Sequence, residues 1–138
     1  MSEILLDTNV LLYAIDQDSK YHMWASRFFN DAKNQCATTS KNISEFLCVA
    51  TRGEEPSMTM DGAINCVKVF CSHCKLLYPN SASTQLYFDL LSEHKPSGLL
   101  VHDFEIASIS LSHGVNHFAT ANEKDFAKIG DLQLICPN

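Results

Sequence analysis

Hydrophobic residues in this chain fall into short blocks, and their spacing changes from block to block. Ile4–Leu6 is a run of large aliphatic residues too short for a helix and reads as a buried strand. The apolar run is interrupted by Asp7, Thr8 and Asn9 and then resumes; Val10–Ile15 is too long and uniform to continue the strand, so a turn into a helix is expected. From Lys20 to Lys33, Trp24, Phe28 and Ala32 recur at a spacing of four, with Ala25 and Phe29 beside them, which predicts an amphipathic helix. Cys36–Thr39 is a short strand candidate. Ser40 or Asn42 can cap the helix that follows, which carries Ile43, Phe46, Leu47 and Ala50 on one side. Gly53–Ser57, with Pro56, is a loop. Met60–Cys74 and Ala82–His94 have helical spacing, with the apolar stretch Leu76–Tyr78 between them. Pro96 and Gly98 break the chain, and Asp103–His113 is helical up to Gly114. His117–Thr120 and Gln133–Cys136 read as short strands around a last helix near Asp125–Ile129.

Short strands alternating with helices predict an α/β fold with a mainly parallel sheet. No repeat, linker or low-complexity segment divides the chain, so residues 1–138 are expected to form one domain. In parallel sheets of this kind, ligands sit beyond the carboxyl ends of the strands. Asp7 stands at the end of the first strand, and Asn122 just past the end of a later one.

Three acids share an apolar setting. Asp7 follows ILL, Glu45 lies between Ile43 and Phe46–Leu47, and Asp103 follows GLLVH. A further cluster, TANEKDF, brings Asn122 and Asp125 after HFAT. If these side chains converge, several carboxylates share one pocket, and they cannot all stay ionised there without a cation. Mg2+ or Mn2+ suits such a site, because hard ions prefer carboxylate oxygens and water and leave positions open for a phosphate. The alternative is structural: Asp7 as a turn residue with Asn9, and Asp103 as the N-cap of its helix.

Composition narrows the choice. The chain is 46% hydrophobic and 19% charged, ordinary for a globular protein. The net charge of −6 argues against a general nucleic-acid coat protein, but not against an enzyme whose carboxylates gather metal ions toward phosphates. No apolar run approaches the ~20 residues needed to span a bilayer, and the N-terminus lacks the pattern of an export signal. A reducing cytoplasm is expected, with the six cysteines as thiols.

The ordered set ILLDTNVLLYAID, ISEFLCVATR and VHDFEIASISLSHGVNHFATANEKDF resembles the PIN-domain family, and within it the VapC toxins of bacterial toxin–antitoxin pairs. The resemblance implies a three-layer α/β/α fold with a short, mainly parallel central sheet. It also implies a Mg2+- or Mn2+-dependent endoribonuclease, usually a homodimer, inhibited by a VapB-like antitoxin. The family's acids fall on Asp7, Glu45 and Asp103, which would hold the metal. Its fourth position falls on Asn122, a neutral and weaker ligand, with Asp125 as a second candidate for that place. Thr8, Asn9 and Thr120 match the small polar residues that support these acids and the scissile phosphate.

Other features are weighed beside this. Lys41, Arg52 and Lys124, together with Lys20, are the candidates for phosphate contacts with RNA. His102 adjoins Asp103 and can contact RNA or cap the helix, while His22, His94, His113 and His117 are expected at interfaces or on the surface. Cys71 and Cys74 have CxxC spacing, but without a second pair a structural role is favoured. The Trp24–Phe28 helix and the Met58–Met60 region are expected to offer apolar surface to the antitoxin. Two further readings stand: a PIN-like module that binds RNA or protein with weakened catalysis, and a haloacid-dehalogenase-type phosphatase. The latter needs a second acid two residues after Asp7, where Asn9 stands.

Overall fold

Why Ile4–Leu6 carries three aliphatic residues in succession becomes plain once its neighbours are known. The computed structural model describes residues 3–138. Along it run β1 (Glu3–Leu6), α1 (Thr8–Ile15), α2 (His22–Asn30), β2 (Gln35–Thr39), α3 (Ser40–Thr51), α4 (Met60–His73), β3 (Cys74–Leu77), α5 (Ser81–His94), α6 (Leu100–Ser112), β4 (His117–Ala119), α7 (Glu123–Phe126) and β5 (Gln133–Ile135). The strands form one sheet in the order β3-β2-β1-β4-β5. Every pairing is parallel. Central β1 has Leu5 opposite Ala37 on one side and Phe118 on the other, so its backbone is hydrogen-bonded along both edges. A strand so placed buries both faces and needs apolar residues at successive positions.

The two faces carry separate cores. Leu5, Ala37, Leu77 and Phe118 pack with Leu90, Phe104, Ile106 and Ile109 of α5 and α6. Leu6, Cys36 and Ala119 pack on the opposite side with residues of α1 to α4, among them Leu11, Phe28, Phe46 and Phe70. Neighbouring residues point to opposite faces of a strand, so consecutive Leu5 and Leu6 serve different cores. The expected three-layer α/β/α arrangement is borne out. Among the described residues no helix is long and apolar enough to cross a membrane.

Several boundaries differ from the sequence reading, each for a local reason. α1 begins at Thr8, two residues early, because the Asp7 side chain accepts the Thr8 N–H and caps the helix. α2 stops at Asn30, since Asp31 takes an extended conformation and its carboxylate accepts the Lys33 N–H. The cap of α3 is Thr39, not Ser40 or Asn42; Asn42 completes a reciprocal capping box with it. Leu76 and Leu77 belong to a strand that starts at Cys74, formed because β2 offers a free edge to pair with. α6 starts at Leu100, three residues before Asp103, so Asp103 lies in the first turn and does not cap the helix. α7 is Glu123–Phe126, earlier and shorter than expected, and is anchored by Phe126, whose ring lies 4.5 Å from that of Phe118. The expectation of apolar surface on α2 changes for one residue: Phe28 is turned into the core, while Trp24, edge-on to it at 5.3 Å, is half-buried and Met23 and Met60 are exposed.

Candidate active site

The strand order places β1 where the chain changes direction across the sheet: the path runs outward to β2 and β3 on one side, then crosses to β4 and β5 on the other. The carboxyl ends of strands flanking such a point form a crevice. Asp7 is the first residue beyond β1, Ser40 the first beyond β2 and Thr120 the first beyond β4.

Asp7 is 4% exposed and accepts hydrogen bonds from four donors. The Thr8 N–H (2.9 Å) and Asn42 Nδ2 (3.3 Å) reach Oδ1. The Thr120 hydroxyl (2.8 Å) and Asn9 Nδ2 (3.3 Å) reach Oδ2. Even so, burial outweighs these donors and holds the Asp7 carboxyl above its usual range, with the Asp125 charge adding to the effect.

Asn42, fully buried, ties the crevice together. Its Oδ1 accepts from the Thr39 hydroxyl at 2.7 Å and from the Thr39 N–H at 3.2 Å, while Nδ2 donates to Asp7 and to Thr8 Oγ1 at 3.0 Å. One amide thus joins the start of α3 to the end of β1. Sequence reasoning named Asn42 only as a helix cap; its position one helical turn before Glu45 was the available signal. On the other side, Asn9 Oδ1 accepts the Ala121 N–H at 3.2 Å, and Thr120 Oγ1 accepts the Asn122 N–H at 3.0 Å.

Beyond Asp7 opens a cleft of about 370 Å³, lined in part by Glu45, Arg52, His102, Asp103, Asn122 and Asp125. Its acids feel one another. Burial first, then the charges of Asp7, Asp125 and Glu45, push Asp103 up to about 7. Glu45 is raised by burial and then by Asp7, while Lys41 and His102 pull the other way. Glu45 Oε1 is buried with no hydrogen-bond partner. Carboxylates that raise one another, one with an orphaned oxygen, are an oxygen-donor set that fits a hard divalent cation. As they stand, no three His, Cys, Asp or Glu side chains among the described residues are grouped closely enough to grip one.

Asp7, Thr8, Asn9, Glu45, Asp103, Thr120, Asn122, Asp125 and Arg52 are thus brought to one place. Asp125, and not Asn122, supplies the fourth negative charge there. Asp7 is bonded by Asn9, as the turn reading expected, and it also caps α1 through the Thr8 N–H, while its charge acts on Glu45 and Asp103. The remaining cations disperse: Lys41 pairs with Glu105 at 3.5 Å, Lys124 lines a neighbouring cavity, and Lys20 sits over the Tyr21 ring. Cys71 is exposed on α4, and Cys74 is buried in β3 opposite Cys36 of the adjacent strand. His22 bonds the Tyr13 carbonyl, His113 that of Ile109, His94 lines the neighbouring cavity, and His117 lies half-buried in β4.

Solved structures similar to this chain include VapBC2 from Rickettsia felis bound to a promoter DNA fragment (21% identity, TM-score 0.73, covering 98% of each chain). VapBC-1 from nontypeable Haemophilus influenzae is 23% identical, with a TM-score of 0.71 and 96% of each chain covered. VapC20 of Mycobacterium tuberculosis, a sarcin–ricin loop cleaving toxin, is 14% identical, with a TM-score of 0.75 over 98% of this chain and 100% of that one. At these identities the likeness establishes the shared fold. No match was found among curated proteins. The family model of the PIN domain matches residues 4–132, nearly the whole length, and the chain belongs to the PIN domain family.

Proposed function

We propose that this protein is a Mg2+- or Mn2+-dependent endoribonuclease, the toxin of a VapBC-like type II toxin–antitoxin pair. The observation that carries the reading is the cluster of Asp7, Glu45, Asp103 and Asp125 at the carboxyl ends of β1 and β4, with Asp103 pushed up to about 7 and Glu45 Oε1 lacking a partner. Asp7, Asp103 and Glu45 would hold the ion, with Asn122 or Asp125 completing the site. When bound, such an ion activates water and offsets charge on a transferring phosphoryl group.

The chain's own residues set the conditions for that chemistry. Thr8, Asn9, Asn42 and Thr120 fix the Asp7 carboxylate in one orientation, so little ordering remains when substrate arrives. Arg52 lines the same cleft and offers a planar pair of donors to a phosphate. Lys41, paired with Glu105, is near enough for its charge to act on Glu45, and Lys124 lines the neighbouring cavity. The names of the similar structures, toxin–antitoxin complexes among them, support a VapB-like antitoxin as partner. Homodimerisation and a cytoplasmic location belong to the same proposal.

A second reading, a PIN-like binding module with weakened catalysis, is favoured by the loose grouping of the acids and by the amide at position 122. Membership of the PIN family replaces the haloacid-dehalogenase reading. One experiment separates the two that remain: incubation of purified protein with structured RNA in Mg2+, Mn2+ or EDTA, beside Asp7→Asn. Cleavage supported by metal, abolished by EDTA and lost in the variant is expected. Tight RNA binding without cleavage under any metal would establish the binding module instead.

A further inference from the structure

Beside the acidic cleft lies a second cavity of about 450 Å³, and Asp125 is a wall of both. Its lining has the opposite sign: Lys95, Lys124 and Lys128 surround it with His94, over an apolar floor that includes Leu100 and Phe104. These are three of only ten Lys and Arg residues in a chain of net charge −6. Among the described residues none of the three makes an ion pair, although Lys41 and Lys75 do. All three are exposed, so water screens their mutual repulsion; what they present is a positive rim, open to an external anion, beside the one acid the two cavities share.

Lys95 adds an independent observation. It ends α5 in the left-handed conformation, with φ 49° and ψ 52°, and is the one non-glycine residue with positive φ among those described. Glycine is the usual residue at such a cap, because a Cβ is strained there. A lysine kept at a strained position on the rim of a cavity points to use of its ammonium group.

We infer that this cavity is a phosphate subsite for the RNA strand. Lys95, Lys124 and Lys128 receive a phosphodiester adjacent in the chain to the one presented to Asp7, Glu45 and Asp103. Asp125 stands between, and its charge keeps phosphates off the dividing wall and so sets them apart in the two cavities. Lysines act as point charges toward phosphate and do not read sequence, so the subsite holds backbone. The inference rests on the nuclease reading for what occupies the acidic cleft.

The test is binding of a fluorescein-labelled single-stranded oligoribonucleotide of about twelve nucleotides, followed by anisotropy in EDTA across a range of salt. Lys95→Gln/Lys124→Gln/Lys128→Gln should bind at least about tenfold more weakly at low salt, with the slope of log K against log salt reduced by about 2. The control Lys33→Gln/Lys68→Gln/Lys75→Gln removes the same charge from positions that line neither cavity and should bind like the wild type. Wild-type affinity and slope in the first variant, or an equal loss in the control, overturns the subsite. Lys95→Gly separates strain from function: its melting temperature should rise while its affinity falls, and unchanged affinity excludes Lys95 from the subsite. Because binding is read without metal, wild-type protein that binds RNA but fails to cut it with Mn2+ sinks the nuclease reading and leaves the binding contrast standing.

Discussion

Replacing Asp103 by Asn should stabilise the metal-free protein, and by an amount that grows with pH. Burial and the charges of Asp7, Asp125 and Glu45 move the Asp103 carboxyl from 3.8 to about 7. That is roughly three units at 1.36 kcal/mol each, or about 4 kcal/mol if the carboxyl were wholly shielded. Asp103 lines an open cleft, where water screens its neighbours, so about half that value is expected. The sign follows from proton linkage. Between pH 3.8 and about 7 the folded state holds a proton that the unfolded state has released, so stability falls as pH rises through this window. Below it the penalty is absent, and above it the penalty is constant. Thermal unfolding by circular dichroism in EDTA should therefore show Asp103→Asn ahead of wild type by about 1 kcal/mol at pH 5 and about 2 kcal/mol at pH 8, the latter some 6–8 °C in a domain of this size. Saturating Mn2+ should raise the wild type at pH 8 and close the gap, because a bound cation offsets the repulsion. A variant less stable than wild type at pH 8 in EDTA, or a gap that does not change with pH, would refute mutual repulsion among these acids.

Three further outcomes follow from the same geometry. Asn42→Ala removes the capping box of α3 and strips donors from Asp7 and Thr8, so denaturant unfolding should show a loss of about 2–3 kcal/mol and cleavage should fall with it. Thr120→Val keeps the side-chain shape but deletes the 2.8 Å bond to Asp7; stability should drop by about 1 kcal/mol while kcat falls at least about tenfold, and equal kcat would show that this orientation is not used. In Mn2+ titrations followed by calorimetry, Asp125→Asn should weaken binding more than Asn122→Asp strengthens it, since Asp125 already supplies the fourth charge near Asp7 and Asp103. The reverse order would return the fourth position to residue 122.

Local pattern determined a good deal of this protein. Three aliphatic residues before Asp7 announced a strand buried on both faces, and the alternation of short apolar blocks with helical stripes announced a parallel sheet between helices. The acids stood out because a carboxylate amid apolar residues is costly unless it has a task. The site depended on tertiary structure, because its parts are joined by contacts across more than a hundred residues. Thr120 and Asp7 meet only because β4 pairs with β1, a strand order that no local period encodes. Asn42 looked like a cap, and it is one half of a capping box; its second task appears only when β2 docks beside β1 and brings the amide to Asp7. α2 shows the converse: its stripe was legible, but whether Trp24 and Phe28 face a partner or the protein's own core is settled by what packs against them. Periodicity fixes which side chains share a face, and only the folded chain decides what that face meets.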